Sequence, residues 1–476
     1  MDTRTTGWTN VCSRPKSGRL LFIFCKVNTE TENNSFPKGL NNAFLFAVFN
    51  ALSFQIVLSS PMVLYAKTLD ASATVLGIIV GMMPLLVIFQ IPAANYVHRI
   101  GYKRFVYGGW GTRVLFIFGM ALVPLTGVFL AAESRLALLL MLLFCFNLSR
   151  GISSCAWLPW ITALVPPNLR GKYLVGDAAY SNFASFLTFV VAAFCLGEAP
   201  QPWRFSVLFV FSALMGATSL IFLKRIPDVS IPDEVRTATT RVPWLEMIRY
   251  APFQKLLKMV AGWSVAYGGI TAFTVAYLKV EAGMSEKQIL LVTSVMFLGG
   301  LSSLWFLGSR LDRLGSKPVL SFSFILWILI LGGWLALAGR LLAPRLPIVL
   351  VLELLMGLFA ALVQMANTRL AMAVIPVMGR NHFFAIYSVL GSVCLGLAPI
   401  AWGLLIDAVG SWKVVRFYLE WNRFSVFFAA AGAVFFVAFI LARRLHEPEA
   451  ISMEALLRDI LIQSPQRVWL RLWPRP

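Results

Sequence analysis

Charged residues are scarce in this chain of 476 residues: 13% are Asp, Glu, Lys or Arg, whereas 59% are hydrophobic and the mean hydropathy is +0.77. A soluble domain averages about 25% charged and about 45–50% apolar residues. The shortage of charge excludes an ordinary soluble domain and indicates a protein that lies in a membrane.

Residues that bind metals or form disulfides are also few. The histidines, His98, His382 and His446, are scattered, and the six cysteines include no C-x-x-C pair. Neither a zinc site nor a disulfide framework has this pattern, so we expect no metal and no cofactor. A membrane enzyme would need a catalytic cluster at one membrane face, and Asn381 beside His382 is not enough for one. We therefore expect no enzyme activity.

The net charge of +20 would suggest a nucleic-acid partner in a soluble protein. Here 28 of the 41 Lys and Arg residues lie in the terminal segments and the loops after even-numbered apolar runs, and 10 lie in the loops after odd-numbered runs. Basic loops stay in the cytoplasm. We therefore expect no nucleic-acid partner, and an integral protein of a bacterial inner membrane with both termini cytoplasmic.

Twelve apolar runs are long enough to cross a bilayer, which takes about 20 helical residues. They are 40–66, 71–97, 104–130, 136–165, 172–197, 203–225, 254–279, 286–310, 319–343, 347–376, 383–408 and 424–445. The predicted fold class is an all-α polytopic membrane protein with twelve transmembrane helices. The predicted segments are a cytoplasmic N-terminal extension or start-site artefact (1–39), a six-helix bundle (40–225), a cytoplasmic central loop (226–253), a second six-helix bundle (254–445) and a basic cytoplasmic tail (446–476).

Two pairs of loops repeat between the halves of the chain. Residues 166–173 and 376–383 share a proline, an arginine and an aromatic residue at a shift of 210. Residues 99–103 and 313–317 both read Arg-x-Gly-x-Lys, at a shift of 214. Corresponding loops imply two pseudo-symmetric six-helix bundles with a binding site between them.

These loops carry a resemblance to the major facilitator superfamily. The motif that this superfamily has between helices 8 and 9 is matched by Gly308, Asp312, Arg313, Gly315 and Lys317. The first-half copy keeps Arg99, Gly101 and Lys103 but departs at Ala94 and His98. The resemblance implies that both copies pin neighbouring helices together on the cytoplasmic side in one gating state, and the departure at His98 puts the first copy in doubt.

The resemblance also implies that helices 1, 4, 7 and 10 line a central cavity. One face of helix 4 carries polar or aromatic residues at i, i+3, i+7 and i+10, and a shift of 210 maps most of them onto a polar face of helix 10 that also holds Glu353. Helix 7 presents Trp263, Tyr267, Ile270, Thr274 and Tyr277 on one helical face, for stacking on a flat solute or for packing. The predicted substrate-binding residues are Asn50, Asn147, Arg150, Ser154, Trp157, Trp263, Tyr267, Gln364 and Asn367.

Charged residues inside the predicted helices need a reason, because an arginine at the bilayer centre costs roughly 2.5–3.5 kcal/mol. Arg150 is interpreted as a binding residue, and Arg113 on peripheral helix 3 as an anchor that ties helices together. Glu353 is the proton-coupling candidate, with an interfacial glutamate in water as the alternative. Asp177, near the start of helix 5, is interpreted as structural.

The sequence contains no G-x-x-x-x-G-K-[ST] loop for ATP, so an ion gradient is the expected driving force. We predict a monomeric secondary active transporter that moves a small polar or anionic organic solute by alternating access, with protons and membrane lipids as its other partners. The alternative is a transporter-like sensor that binds a solute without transport.

Overall fold

The computed structural model describes residues 36–445 except 38, 167–168, 230–243, 308–314, 376–379 and 417. The predicted tail and the motif residues Gly308, Asp312 and Arg313 lie outside the described residues, as does nearly all of the N-terminal extension. Much of the predicted central loop is outside them too.

Six helices form the first half. They are α1 (Asn41–Leu58 and Ser60–Thr68), α2 (Ala73–Leu85 and Gln90–Ile100, joined by a 3-10 turn at Leu86–Phe89), α3 (Tyr102–Leu122, with a 3-10 turn at Val123–Val128), α4 (Ala132–Ser154 and Trp157–Leu164), α5 (Arg170–Leu196) and α6 (Pro202–Arg225).

The described helices of the second half are α7 (Ala251–Tyr267 and Ile270–Val280), α8 (Glu286–Leu307), α9 (Ser316–Ala338), α10 (Leu346–Val374), α11 (Arg380–Val409) and α12 (Arg423–Arg443). A short helix, Trp244–Arg249, precedes α7. The antiparallel strands β1 (Val414–Arg416) and β2 (Leu419–Trp421) form a hairpin between α11 and α12.

Within the described residues, eleven of these helices are long and apolar enough to span a bilayer on their own, and α8 is the twelfth helix of the fold. The first bundle is built by α1 against α5 and α6, and by α3 against α4 and α6. The second repeats this pattern with α7 against α11 and α12, and α9 against α10 and α12. The fold is therefore two pseudo-symmetric six-helix bundles, which meet where α2 packs on α11 and α5 on α8.

Proline and glycine interrupt several helices. In α1 the helix stops at Ser59, where Pro61 would clash with a carbonyl four residues earlier. In α7 the break lies at Gly268 and Gly269, whose φ of +84° favours glycine. These breaks divide membrane helices into separate segments.

The break in α7 overturns one expectation, that five of its residues share a face. Trp263 and Tyr267 precede the break, whereas Tyr277 follows it and packs edge-on against Trp334 and Phe424. The prediction was wrong because it assumed a continuous helix through Gly268.

The two bundles are joined at the end that carries the loops after odd-numbered helices, which is the predicted outer end. Asp407 at the end of α11 accepts hydrogen bonds from the Ala73 and Thr74 backbone N–H groups and the Thr74 hydroxyl, at 3.0, 2.7 and 2.6 Å. The Lys287 N–H also donates to the Gly197 carbonyl at 3.0 Å. These contacts hold α2 to α11 and α5 to α8 at one end of the molecule.

Glycines bring α2 and α11 into direct backbone contact. A Cβ built on Gly77 would lie 2.1 Å from the Pro399 carbonyl oxygen, and one on Gly81 would lie 2.3 Å from the Gly396 oxygen. The spacing of Gly77 and Gly81 is the G-x-x-x-G pattern that lets membrane helices approach closely.

The two Arg-x-Gly-x-Lys loops adopt the same backbone conformation. Gly101 has φ +89° and ψ +151°, and Gly315 has φ +85° and ψ +158°. Only glycine adopts this region freely. The sequence repeat therefore corresponds to a repeated structural turn.

Candidate functional site

A cavity of about 430 Å³ lies between the bundles. Helices α7, α8, α10 and α11 of the second bundle supply most of its wall, and Asn182 of α5 closes it from the first bundle. We call it the aromatic cavity. Four of the substrate-binding residues predicted from the sequence line it: Trp263, Tyr267, Gln364 and Asn367.

Aromatic rings form one wall of this cavity. Trp263 and Tyr267, one turn apart on α7, stack with 4.8 Å between ring centroids and 12° between ring planes. Trp327 of α9 packs edge-on against both rings from behind. The stacked pair is thus fixed by the core of the bundle, and both residues line the cavity.

Amide side chains face the same space from α10. Gln364 and Asn367 both line the cavity, and the buried Asn367 Oδ1 has no hydrogen-bond partner among the described residues. A buried carbonyl oxygen without a donor is costly. A hydroxyl or amine group of a solute would satisfy it.

A second cavity, of about 200 Å³, lies within the first bundle among α1, α3, α4 and α5. We call it the arginine cavity. The predicted residues Asn50, Arg150, Ser154 and Trp157 line it together. Ser181 of α5 lines this cavity while the adjacent Asn182 lines the aromatic cavity, so both cavities border α5.

Hydrogen bonds orient the polar groups of the arginine cavity. The Trp110 indole N–H donates to Asn50 Oδ1 at 3.1 Å, and the Gln90 amide donates to the Ser154 hydroxyl at 2.6 Å. Trp157 packs against Phe46 with 4.9 Å between ring centroids. Asn50 of α1 faces this cavity, whereas Gln55 of the same helix donates a hydrogen bond to Ser185 on α5.

The break in α4 lies between two of its predicted site residues, Ser154 and Trp157. Pro159 follows the break, and its ring would clash with the Cys155 carbonyl in a continuous helix, so α4 restarts at Trp157. Ser154 and Trp157 consequently stay on the cavity side of both segments.

Two predicted residues lie outside both cavity linings. Asn147 is 1% exposed and donates to the Leu143 carbonyl of its own helix at 3.0 Å. Glu353 is 1% exposed, and its Oε2 has no hydrogen-bond partner among the described residues. Glu353 lies close enough to Tyr267 to interact electrostatically with it.

The predicted gating residues are partly described. Lys103 donates to the Ile226 carbonyl at 2.8 Å and so holds the start of α3 to the end of α6. Arg99 is exposed, and Gly101 and Gly315 form the paired turns. Lys317 lies in the first turn of α9.

Three residues that were not predicted as binding residues line these cavities. Arg113 and Asp177 line the arginine cavity, and Asn182 lines the aromatic cavity. The sequence does carry a signal for α5, because Asp177, Ser181 and Ser185 repeat every four residues on one helical face. No comparable pattern identifies Arg113. Among the described residues, no group of His, Cys, Asp and Glu side chains could hold a metal ion.

Known proteins share this architecture. The family model described as Major Facilitator Superfamily matches residues 43–308 and 269–475. A D-xylose-proton symporter superimposes with a TM-score of 0.69 at 15% identity, covering 87% of this chain and 99% of that chain. The inward open xylose transporter XylE from E. coli gives 0.63 at 16%, covering 88% and 99%.

A variant of the nucleoside transporter NupG superimposes with a TM-score of 0.65 at 10% identity, covering 86% of this chain and 100% of that chain. No curated protein sequence matches this chain. At such identities the structural likeness establishes the fold, and substrate specificity must be argued from the cavities themselves.

Proposed function

This chain belongs to the major facilitator superfamily, and from that premise we propose that it is a secondary active transporter that moves a small polar or anionic organic solute by alternating access. The observation that carries the proposal is the aromatic cavity, about 430 Å³ between two pseudo-symmetric bundles. Its size suits a small organic solute, since ligand pockets typically measure about 300–1,000 Å³.

The contacts between the bundles support an alternating mechanism. Asp407 and the glycines of α2 hold the bundles together at the predicted outer end, on one side of the cavities. With the basic loops cytoplasmic, we propose that this geometry is that of a transporter closed at its outer end. Rocking of one bundle against the other about a central site would then expose the site to the opposite side.

Proton coupling is proposed through Glu353. Its carboxyl group is buried near Tyr267, and the described residues provide no ion pair for it. A buried charge without a partner is costly, and binding a proton removes the charge. A solute that contacts Tyr267 could therefore sense whether Glu353 carries its proton.

Orientation, location and oligomeric state complete the proposal. The distribution of Lys and Arg supports cytoplasmic termini in an inner membrane, and the chain is proposed to work as a monomer with the solute path inside it. The two bundles, 40–225 and 254–445, are proposed as the units that move.

The test is solute counterflow in proteoliposomes. Purified protein would be reconstituted with unlabelled solute inside and tracer outside, using xylose, glucose, a nucleoside, a dicarboxylate and an aromatic acid in turn. Tracer uptake above that of empty liposomes supports transport. A solute that raises the melting temperature without tracer exchange would instead indicate the sensor.

Arg150→Ala is the accompanying variant. Because Arg150 lines the arginine cavity together with Trp157 and Ser154, we expect tracer exchange to fall at least tenfold while the protein remains folded. Transport at the wild-type rate by Arg150→Ala would remove this residue from the site.

A further inference from the structure

Arg113 is the least explained charged group in the membrane-embedded part of the protein. It is 4% exposed, and its guanidinium carbon lies 4.7 Å from the centroid of the Trp110 ring and 4.9 Å from that of Phe146. Contact with two aromatic faces offsets part of the cost of burial. The Arg113 Nε has no hydrogen-bond partner among the described residues.

This environment does not suit an arginine that ties helices together. Such an anchor would donate hydrogen bonds to backbone carbonyls, as Arg204 does to the Leu196 carbonyl at 2.8 Å. The described residues provide no hydrogen bond and no ion pair for the Arg113 guanidinium. Its charge must therefore be balanced by something other than these residues.

A second arginine makes the imbalance larger. Arg150 lines the same cavity of about 200 Å³, so two like charges share one small space. The described residues give Arg150 no ion pair either. Burying two like charges inside a membrane protein costs free energy, and a nearby anion lowers that cost.

Asp177 is the acidic residue in the lining of this cavity, and it does not supply that anion. Among the described residues, its carboxylate is not within 4.0 Å of either guanidinium. Even counting Asp177 as charged, two cations and one anion leave one positive charge uncompensated. The arginine cavity therefore lacks one negative charge.

Taking the transporter function as given, we propose that Arg113 and Arg150 jointly bind the anionic group of the solute, so that the transported substrate is an organic anion. Paired guanidinium groups provide several N–H donors with the geometry that carboxylates and phosphates accept. The remainder of the solute would extend past Ser181 and Asn182 on α5 into the aromatic cavity, against the stacked Trp263 and Tyr267. Arg113 would then bind the solute and not tie helices together.

The first test measures stability without ligand. Arg113→Met and Arg150→Met keep the apolar stem and remove the charge, so each variant should melt at a higher temperature than the wild type in buffer without organic or multivalent anions. Arg113→Lys keeps the repulsion and should not show this rise. A lower melting temperature for Arg113→Met would identify a structural anchor and overturn the proposal.

The second test compares matched acids and neutral analogues in phosphatidylcholine nanodiscs, which carry no anionic lipid. The pairs are glucuronate with glucose, glucose 6-phosphate with glucose, and benzoate with benzamide, with inorganic phosphate and sulfate as the smallest anions. At least one acid should raise the wild-type melting temperature more than its neutral partner. The apparent affinity for that acid, measured from the concentration dependence of the melting temperature, should fall at least tenfold in each Arg→Met variant. The exposed Arg225→Gln changes the net charge equally and should retain it.

The outcomes separate this proposal from the transporter proposal. If neutral analogues stabilise the wild type as well as the acids do, or if no anion distinguishes the wild type from the Arg113→Met/Arg150→Met double variant, the anion site is wrong. If an acid binds through both arginines but shows no counterflow, the anion site stands and transport fails. Adding phosphatidylglycerol to the nanodiscs identifies a lipid headgroup: stabilisation by this lipid alone would overturn a soluble anionic substrate.

Discussion

Glu353 is the residue proposed to couple transport to protons. Glu353→Gln keeps the size and hydrogen-bonding capacity of the side chain but cannot exchange a proton. We expect this variant to retain solute counterflow and to lose accumulation driven by a pH gradient across proteoliposomes. The two assays together measure coupling separately from transport.

The control for this prediction is Glu281→Gln. Glu281 pairs with Arg423 at 2.9 Å at the predicted outer end, away from both cavities, so both activities should persist. Normal pH-driven accumulation by Glu353→Gln would show that another group carries the proton.

At the scale of the side chain, periodicity in the sequence was a good guide to location. Ser154 and Gln364, related by the shift of 210, each line the cavity of their own half. Asn147 shared the same helical face in the sequence but is buried against its own helix. A helical face is wider than the part that borders a cavity, and the neighbouring helices decide which part remains open.

Among the elements, the contact between α2 and α11 depends most directly on single atoms. Gly77→Ala would put a methyl group against the Pro399 carbonyl, in contact with backbone that cannot move aside like a side chain. We expect the two helices to separate and the protein to lose roughly 1–3 kcal/mol of stability, the usual cost of overpacking. The measurement is the melting temperature in detergent or nanodiscs.

Gly432→Ala in α12 is the matched control, because no atom lies within 4 Å of the added methyl group. Alanine is a better helix former than glycine by up to about 1 kcal/mol, so this variant should melt no lower than the wild type. Equal destabilisation by both substitutions would mean that the close α2–α11 contact is not the cause of the lost stability.

The interrupted helices show where sequence reasoning at the element scale fails. The extents of the twelve helices followed from run lengths, because bilayer thickness fixes how many apolar residues are needed. The break at Gly268 did not follow, since a Gly-Gly pair can continue a helix or end it. Here Gly268 packs closely against Ala398 of α11, where an added Cβ would lie 2.7 Å away, and that tertiary contact places the break.

For the whole molecule, Asp407 is the group expected to hold the predicted outer end closed. It caps the N-terminus of α2 from α11, where a carboxylate is favoured by the exposed N–H groups and the helix dipole. Asp407→Ala removes three hydrogen bonds between the bundles. We expect a larger fraction of molecules to open at that end.

This opening can be measured by labelling Ser388→Cys, in the wall of the aromatic cavity, in a variant without native cysteines. A membrane-impermeant thiol reagent added outside should react several-fold faster when Asp407→Ala is present. Glu420→Ala breaks ion pairs with Arg340 and Lys413 inside the second bundle, so it should leave the rate unchanged. An unchanged rate in Asp407→Ala would show that this carboxylate does not control opening.

The twelve helices, the division into halves of six and the polar faces of α4 and α10 could be predicted from the sequence alone. The length of each apolar run, the helical periodicity of polar residues and the repeated loop sequences can all be read along the chain, and bilayer thickness fixes how long a run must be. The repeated turns at Gly101 and Gly315 belong to the same class, because only glycine takes that backbone conformation freely.

Helix packing brings Arg113, Arg150 and Asp177 into one cavity and lets Asp407 reach across to α2, and no pattern in the chain predicts these contacts. The physical reason is the rotation of each helix about its own axis. Hydrophobicity hardly constrains this rotation when most faces of a helix are apolar, and it is set by close packing of small residues between helices. The charges that meet inside the protein, and therefore the solute it can bind, are fixed by that packing.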